Sequence, residues 1–186
     1  MVAQIISGKD VAEEILTTKL KDKVKQLESR GIIPTLVVVL VGEVKASASY
    51  VKQKEKFAAK AGIKSEVRKF PDTISEKEVL DEIEKINNDS SIHGVIVQLP
   101  LPDHISITKI LNSIDPAKDV DGFTPTNVGK LFLGEETLVS CTPKGIMLLL
   151  ESVNADLKGK NVTVIGRSNI VGKPVSILCQ PVSYTH

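Results

Sequence analysis

The chain has 186 residues, enough for one large domain or one and a half ordinary ones, and 41% of them are hydrophobic, which suits a packed core and excludes wholesale disorder. Lys plus Arg number 24 against 23 Asp plus Glu, and aromatic residues make up only 3%, so neither charge nor stacking supports broad nucleic-acid binding. Two cysteines, Cys141 and Cys179, are too few for a disulfide framework, and His93, His104 and His186 lack metal-ligand spacing, so no metal site is expected.

The opening MVAQIISGKDVAEE lacks the apolar stretch of a signal peptide and is not Arg-rich like a transit peptide. Asp10 and Glu13 have capping-box spacing ahead of a charged amphipathic helix that Gly31 closes. PTLVVVLVG predicts a strand buried on both faces, and as the longest apolar run it is far too short to cross a bilayer. SASYVKQKEKFAAKAG predicts a helix with a serine start and a glycine stop, and KSEVRKF a second strand. Ser75 and Glu78 form another capping box before a helix whose Val79, Leu80, Ile83 and Ile86 share a face. IHGVIVQLPLP predicts a third strand that ends in prolines, where one X-Pro bond suits the cis form.

This alternation predicts a parallel α/β sheet. DPAKDVDGFTPTNVGKLFLGEE reads as a long polar connection, of a length that often carries function. CTPKGIMLLLESV predicts a helix with Thr142 as N-cap and Pro143 at the first helical position. NVTVIG then opens a second α/β unit, so the expected domains are residues 1–140 and 141–186. A cytoplasmic protein acting on small molecules, with no nucleic-acid or membrane partner, fits these features.

Three places carry candidate chemistry. Tyr50, Lys54, Phe57, Ala58 and Ala61 share one helical stripe, whereas Lys52, Lys56 and Lys60 form a separate, solvent-facing one. Lys54 is the odd lysine, since a desolvated ammonium loses proton affinity and becomes useful as an acid or base, although a packed stem with a snorkelling head satisfies the same pattern. Gln98 lies at the carboxyl end of the third strand, where open parallel sheets bind ligands, and offers a donor and an acceptor to a heterocycle or to loop backbone. DVDGF sets Asp119 and Asp121 beside Gly122, as carboxylates for a lysine or a ligand amine, or as an Asx-type turn.

The segment VTVIGRSNIVGKP, residues 162–174, reads as strand, glycine turn and helix. Gly166 permits the turn, Gly172 lets the helix lie close, and N–H groups at the helix start favour phosphate. Ser168 holds the second small position of what is otherwise a dinucleotide-type turn, so the generic fingerprint is incomplete.

Taken in order, ASASYVKQKEKFAAKAGI, GVIVQLPLP, PAKDVDGFTPTNVGKL, CTPKGIMLLLE and VTVIGRSNIVGKPVSILC resemble the bifunctional methylenetetrahydrofolate dehydrogenase/methenyltetrahydrofolate cyclohydrolase (FolD) family, to about Cys179. The resemblance implies an N-terminal α/β catalytic domain followed by the first part of a Rossmann-like domain, with folate as substrate and NADP as cofactor. It implies oxidation of 5,10-methylenetetrahydrofolate and hydrolysis of the methenyl product, within one-carbon metabolism and purine biosynthesis, by a homodimer.

Lys54 matches the family's catalytic lysine, Tyr50 the tyrosine that stacks on folate, and Gln98 and Asp121 the residues that position the lysine and the pterin, with Pro100 on the substrate rim. Thr142, Gly166, Arg167, Ser168 and Gly172 match the cofactor side, where Arg167 and Ser168 resemble the residues that meet the adenosine 2′-phosphate and favour NADP over NAD. After SILCQPVSYTH a full member carries further strands, so the chain reads as truncated and its dehydrogenase step is expected to be weak. PVSYTH reads as a remnant of the next strand. Two other readings are a non-catalytic folate-binding or dimerising fragment, and another Rossmann dehydrogenase, which would not call for Tyr50, Lys54, Gln98 and Asp121 together.

Overall fold

The computed structural model describes residues 4–42 and 45–180, which fall into two compact units: residues 15–120, and residues 4–14 together with 121–180. The chain begins with α1 (Gly8–Ile15), a π-helical stretch Leu16–Leu20 and α2 (Lys21–Glu28), after which Gly31 takes φ 75°. The first cap differs from expectation. Ser7 Oγ accepts the Asp10 N–H at 3.3 Å and Ser7 O accepts from Val11 N, so Ser7 is the cap. Asp10 lies in the first turn instead, where its charge suits the helix dipole.

The first unit is built on β1 (Thr35–Val41), β2 (Lys64–Phe70) and β3 (Gly94–Val97), all parallel, in the order β2-β1-β3. Parallel neighbours need crossovers, here α3 (Lys45–Ala61) and α4 (Glu76–Asn88). The first crossover steps from β1 to one edge and the second returns past β1 to the other. With both right-handed, the two helices must cover opposite faces.

The packing matches. Val37, Val39, Val41, Val95 and Val97 form one core with Val79, Ile83 and Ile86 of α4, while Val38, Leu40 and Ile96 form a second with Val51 of α3. Ser75 and Glu78 make the expected capping box. The α3 helix starts at Lys45, two residues before the expected serine.

Two short helices occupy stretches that the sequence left without structure. Of these, α5 (Ile107–Ser113) starts at Ser106, whose side chain accepts from Lys109 N, and buries Ile110 in the first core. In the second unit, α6 (Pro125–Leu133) lies inside the supposed polar connection. Thr124 caps it, Pro125 opens it and Gly134 follows it in the left-handed region. These are strong end signals, but nine residues carry too few turns for a clear apolar period.

The next helix, α7 (Cys141–Ser152), has Ser140 as N-cap, so Thr142 is its second residue and not its cap. Residues 161–166 form no paired strand, contrary to expectation: a parallel strand exists only against a neighbour, and none of the described segments pairs with it. Ile165 is correspondingly fully exposed. Then α8 (Gly172–Leu178) ends the described secondary structure, and PVSYTH lies outside the described residues. No helix among the described residues is long and apolar enough to cross a membrane.

Candidate functional site

Strand alternation aims the first pair. In β3, Val95 and Val97 face the α4 core and Ile96 faces α3, so the next residue of Ile96's parity, Gln98, turns toward α3. The Gln98 N–H still bonds Val39 O at 2.9 Å, which holds its backbone on the sheet just past the strand. From α3, the half-buried Lys54 reaches it: Lys54 Nζ donates to Gln98 Oε1 at 3.0 Å.

An ammonium has donors only, so the amide must present its oxygen to Lys54 and its NH2 group elsewhere. Gln98 Nε2 donates to Leu99 O at 2.8 Å. The Leu99–Pro100 bond is cis, Pro100 is exposed, and Leu101 and Ile105 beyond it are buried in the core. Lys54 therefore carries a fixed partner at the carboxyl end of the sheet.

The stripe around Lys54 is shifted from the expected one. The buried positions are Val51, Ala58 and Ala61, whereas Tyr50 is 65% and Phe57 42% exposed. A helical period defines a face only to within about one residue, and here the packed centre lies nearer Val51 than Tyr50. Tyr50 thus presents an open ring one turn from Lys54, available to a flat ligand rather than to the core. Lys52, Lys56 and Lys60 are exposed.

In the second unit, Gly122 has φ 64°, and a Cβ there would come within 2.5 Å of Leu138 O and 2.9 Å of Ser140 N. Only glycine lets the two segments lie this close. The contact brings Asp121 to the first turn of α7, its Oδ1 3.9 Å from Cys141 Sγ. Asp119 belongs to the first unit, buried and bridged in parallel to Val95.

The turn of residues 166–172 folds on itself. A Cβ on Gly172 would meet Gly166 O at 2.5 Å, whereas one on Gly166 (φ 149°) would meet open space. Ser168 Oγ accepts from Val171 N at 3.1 Å and Gly172 N at 3.2 Å, so it occupies two of the N–H groups expected to face a phosphate. Its own O–H proton remains for an acceptor, and Arg167 beside it is exposed. This donor set suits an anionic, phosphate-bearing ligand. Thr142 is exposed on the first turn of α7.

Ser140 was not singled out by sequence; it is 3% exposed and donates to Ile170 O at 3.2 Å. A serine before a helix reads locally as a cap, and no sequence signal marks its distant partner. A cavity of about 640 Å³ between α7, residues 154–158 and α8 is lined by Met147, Leu150, Leu157 and Leu178, and by none of the candidate residues. No group of three or more His, Cys, Asp or Glu among the described residues is placed to hold a metal ion.

Residues 6–121 match the family model described as tetrahydrofolate dehydrogenase/cyclohydrolase, catalytic domain, and residues 140–185 match the NAD(P)-binding domain of the same family. The chain belongs to this family. It is 53% identical over 177 residues to the bifunctional protein FolD of Enterococcus faecalis, covering 95% of this chain and 63% of that protein. With the FolD protein of Oceanobacillus iheyensis it shares 49% over 189 residues, covering 100% of this chain and 66% of the relative.

Among solved structures, the FolD bifunctional enzyme of Campylobacter jejuni superposes with a TM-score of 0.92 at 46% identity, over 95% of this chain and 62% of that one. The Trypanosoma brucei FolD enzyme, complexed with NADP cofactor and inhibitor, gives 0.90 at 35% identity over 95% and 61%. The chain therefore spans a little under two thirds of these FolD relatives.

Proposed function

We infer that the chain performs folate chemistry of the FolD family: it hydrolyses 5,10-methenyltetrahydrofolate to 10-formyltetrahydrofolate, while its NADP-dependent oxidation of 5,10-methylenetetrahydrofolate to the methenyl form is weak or absent. The observation that carries this reading is the Lys54–Gln98 hydrogen bond at the carboxyl end of the sheet, one helical turn from the open ring of Tyr50.

Hydrolysis requires water to add to the bridge carbon and a proton to reach a departing nitrogen. In this reading Lys54 moves that proton and Gln98 holds its amine, a role supported by the 3.0 Å hydrogen bond between them. Tyr50 offers a face to the pterin and Pro100 stiffens the rim beside it; Asp121 is proposed as the carboxylate for pterin N–H groups from its match to the family motif alone.

The nucleotide side rests on the Gly166–Gly172 turn. Arg167 and Ser168 would hold the 2′-phosphate of NADP, and Thr142 and the two glycines would line its approach. NADP supplies the hydride acceptor; the protein's task is to hold folate so that its two nitrogens share the charge left on the bridge. We place the folate side in residues 1–140 and the nucleotide side in 141–186, a division supported by the family-model bounds of 6–121 and 140–185. Family membership also supports a cytoplasmic homodimer serving one-carbon metabolism and purine biosynthesis.

The test is an assay of methenyltetrahydrofolate hydrolysis beside folate binding. Turnover supports the enzyme. Binding without turnover assigns the chain the alternative role of a non-catalytic, folate-occupying fragment, and an NADP-dependent rate decides the dehydrogenase step separately.

A further inference from the structure

Ser140 stands at the N-cap of α7, the position where serine normally accepts an N–H from the first helical turn, yet its side chain makes no such bond. The reason is local. The third residue of α7 is Pro143, which has no N–H, so one of the two donors that a capping oxygen normally takes is missing. The hydroxyl, almost wholly buried, turns instead to a residue 30 positions on and donates to Ile170 O at 3.2 Å.

Ile170 lies in the middle of the Gly166–Gly172 turn, between Ser168 and the N–H groups of Val171 and Gly172 that Ser168 Oγ holds. The backbone of Ser140 is also pressed against Gly122, next to Asp121. One buried hydroxyl thus fastens the turn that carries Arg167 and Ser168 to the start of the helix that carries Thr142.

We propose that Ser140 is a positioning residue for nucleotide binding: it docks the Gly166–Gly172 turn on the start of α7 and so sets where Arg167 and Ser168 stand relative to Thr142. The ligand part of this rests on the NADP reading above; the docking part does not. A serine that merely capped α7 would leave the turn unchanged when removed, but the helix makes no use of this hydroxyl.

The test compares the parent chain with Ser140→Ala, Ser140→Cys, which keeps the volume with a weak donor, and Ser140→Thr, which keeps the hydroxyl. Amide hydrogen exchange is read at Val171, Gly172 and Lys173, with Ile83 and Ile110 as reporters of an intact core, and NADP affinity is measured by calorimetry beside a folate analogue. Docking by Ser140 predicts faster exchange at the three turn amides in the Ala and Cys variants, unchanged core amides, and restoration by Thr. It also predicts that NADP affinity falls about 3- to 10-fold in Ser140→Ala, the span of one hydrogen bond, while folate affinity stays as in the parent. Parent-like exchange at the turn, or equal NADP affinity in parent and Ser140→Ala, overturns the proposal. A parent chain that binds no NADP defeats the cofactor reading instead, and the exchange data still decide whether Ser140 docks the turn.

Discussion

Lys54 and Gln98, 44 residues apart in sequence, meet through a 3.0 Å hydrogen bond from the ammonium to the amide oxygen, and the same amide donates to Leu99 O at 2.8 Å. The amide is therefore polarised in one direction, from lysine to main-chain carbonyl. Gln98→Leu keeps the volume and removes both bonds. We expect it to lower methenyltetrahydrofolate hydrolysis by about 100-fold while leaving the denaturation midpoint close to the parent's. Single-turnover hydrolysis beside urea unfolding checks this.

Lys118 secures the end of α4 with three donors on three carbonyls: Nζ bonds Ile86 O and Asn87 O at 2.8 Å and Asp89 O at 2.7 Å. These carbonyls lie at and just past the helix C-terminus, where Ile86 O and Asp89 O also accept from Asp89 N and Ile92 N and where the dipole favours a cation. Lys118→Met keeps the stem and loses the head, and should destabilise the first unit by about 1–3 kcal/mol in denaturant titrations.

Glu76 ties the start of α4 to the start of α5, accepting from Lys109 Nζ at 2.6 Å and Ser106 N at 2.7 Å. The Lys109 bond first, and the Ser106 N–H next, hold its carboxyl below the ordinary carboxylate range. A carboxyl depressed in the folded state contributes stability above its unfolded pKa and loses it as pH falls through the folded value. Glu76→Gln should therefore be less stable than the parent at neutral pH, with the gap closing on acidification through and below the carboxylate range. Chemical unfolding of both proteins from pH 7 to pH 3 measures this, and a gap that stays constant with pH contradicts the assignment.

Gly122 is required twice, by its φ of 64° and by the backbone of residues 138–140 pressed against it. Gly122→Ala should cost ~2 kcal/mol or more, since the left-handed strain alone is of that order and Leu138 O cannot retreat as a side-chain tip would. Thermal unfolding is the check, and a variant as stable as the parent would show that the 121–122 and 138–140 segments are not in contact.

What was legible in the sequence was local or periodic. The β-branched run of β1 and the Ser75–Glu78 box identify themselves, because each pattern carries its own physical reason within a few residues. The parallel sheet followed from alternation, whereas the placing of its helices on opposite faces follows from handedness only once the strand order β2-β1-β3 is known. Lys54 was legible as the odd member of an apolar stripe, but the stripe itself was centred one residue off, and Tyr50 and Phe57 turned out exposed. The α5 and α6 helices were short enough to hide, although Ser106, Thr124 and Gly134 marked their ends. Residues 161–166 have the composition of a strand, but a strand needs a partner, and composition cannot supply one. Ser140 was illegible for a different reason: its role is set by Ile170, 30 residues away, through Pro143.

The most direct measurement of the central claim is hydrolysis of 5,10-methenyltetrahydrofolate by the parent chain and by Lys54→Met, with circular dichroism on both. If Lys54 moves the proton, the parent turns over substrate and the folded Lys54→Met variant is slower by at least about 100-fold. A folded Lys54→Met protein that hydrolyses at the parent's rate contradicts the account.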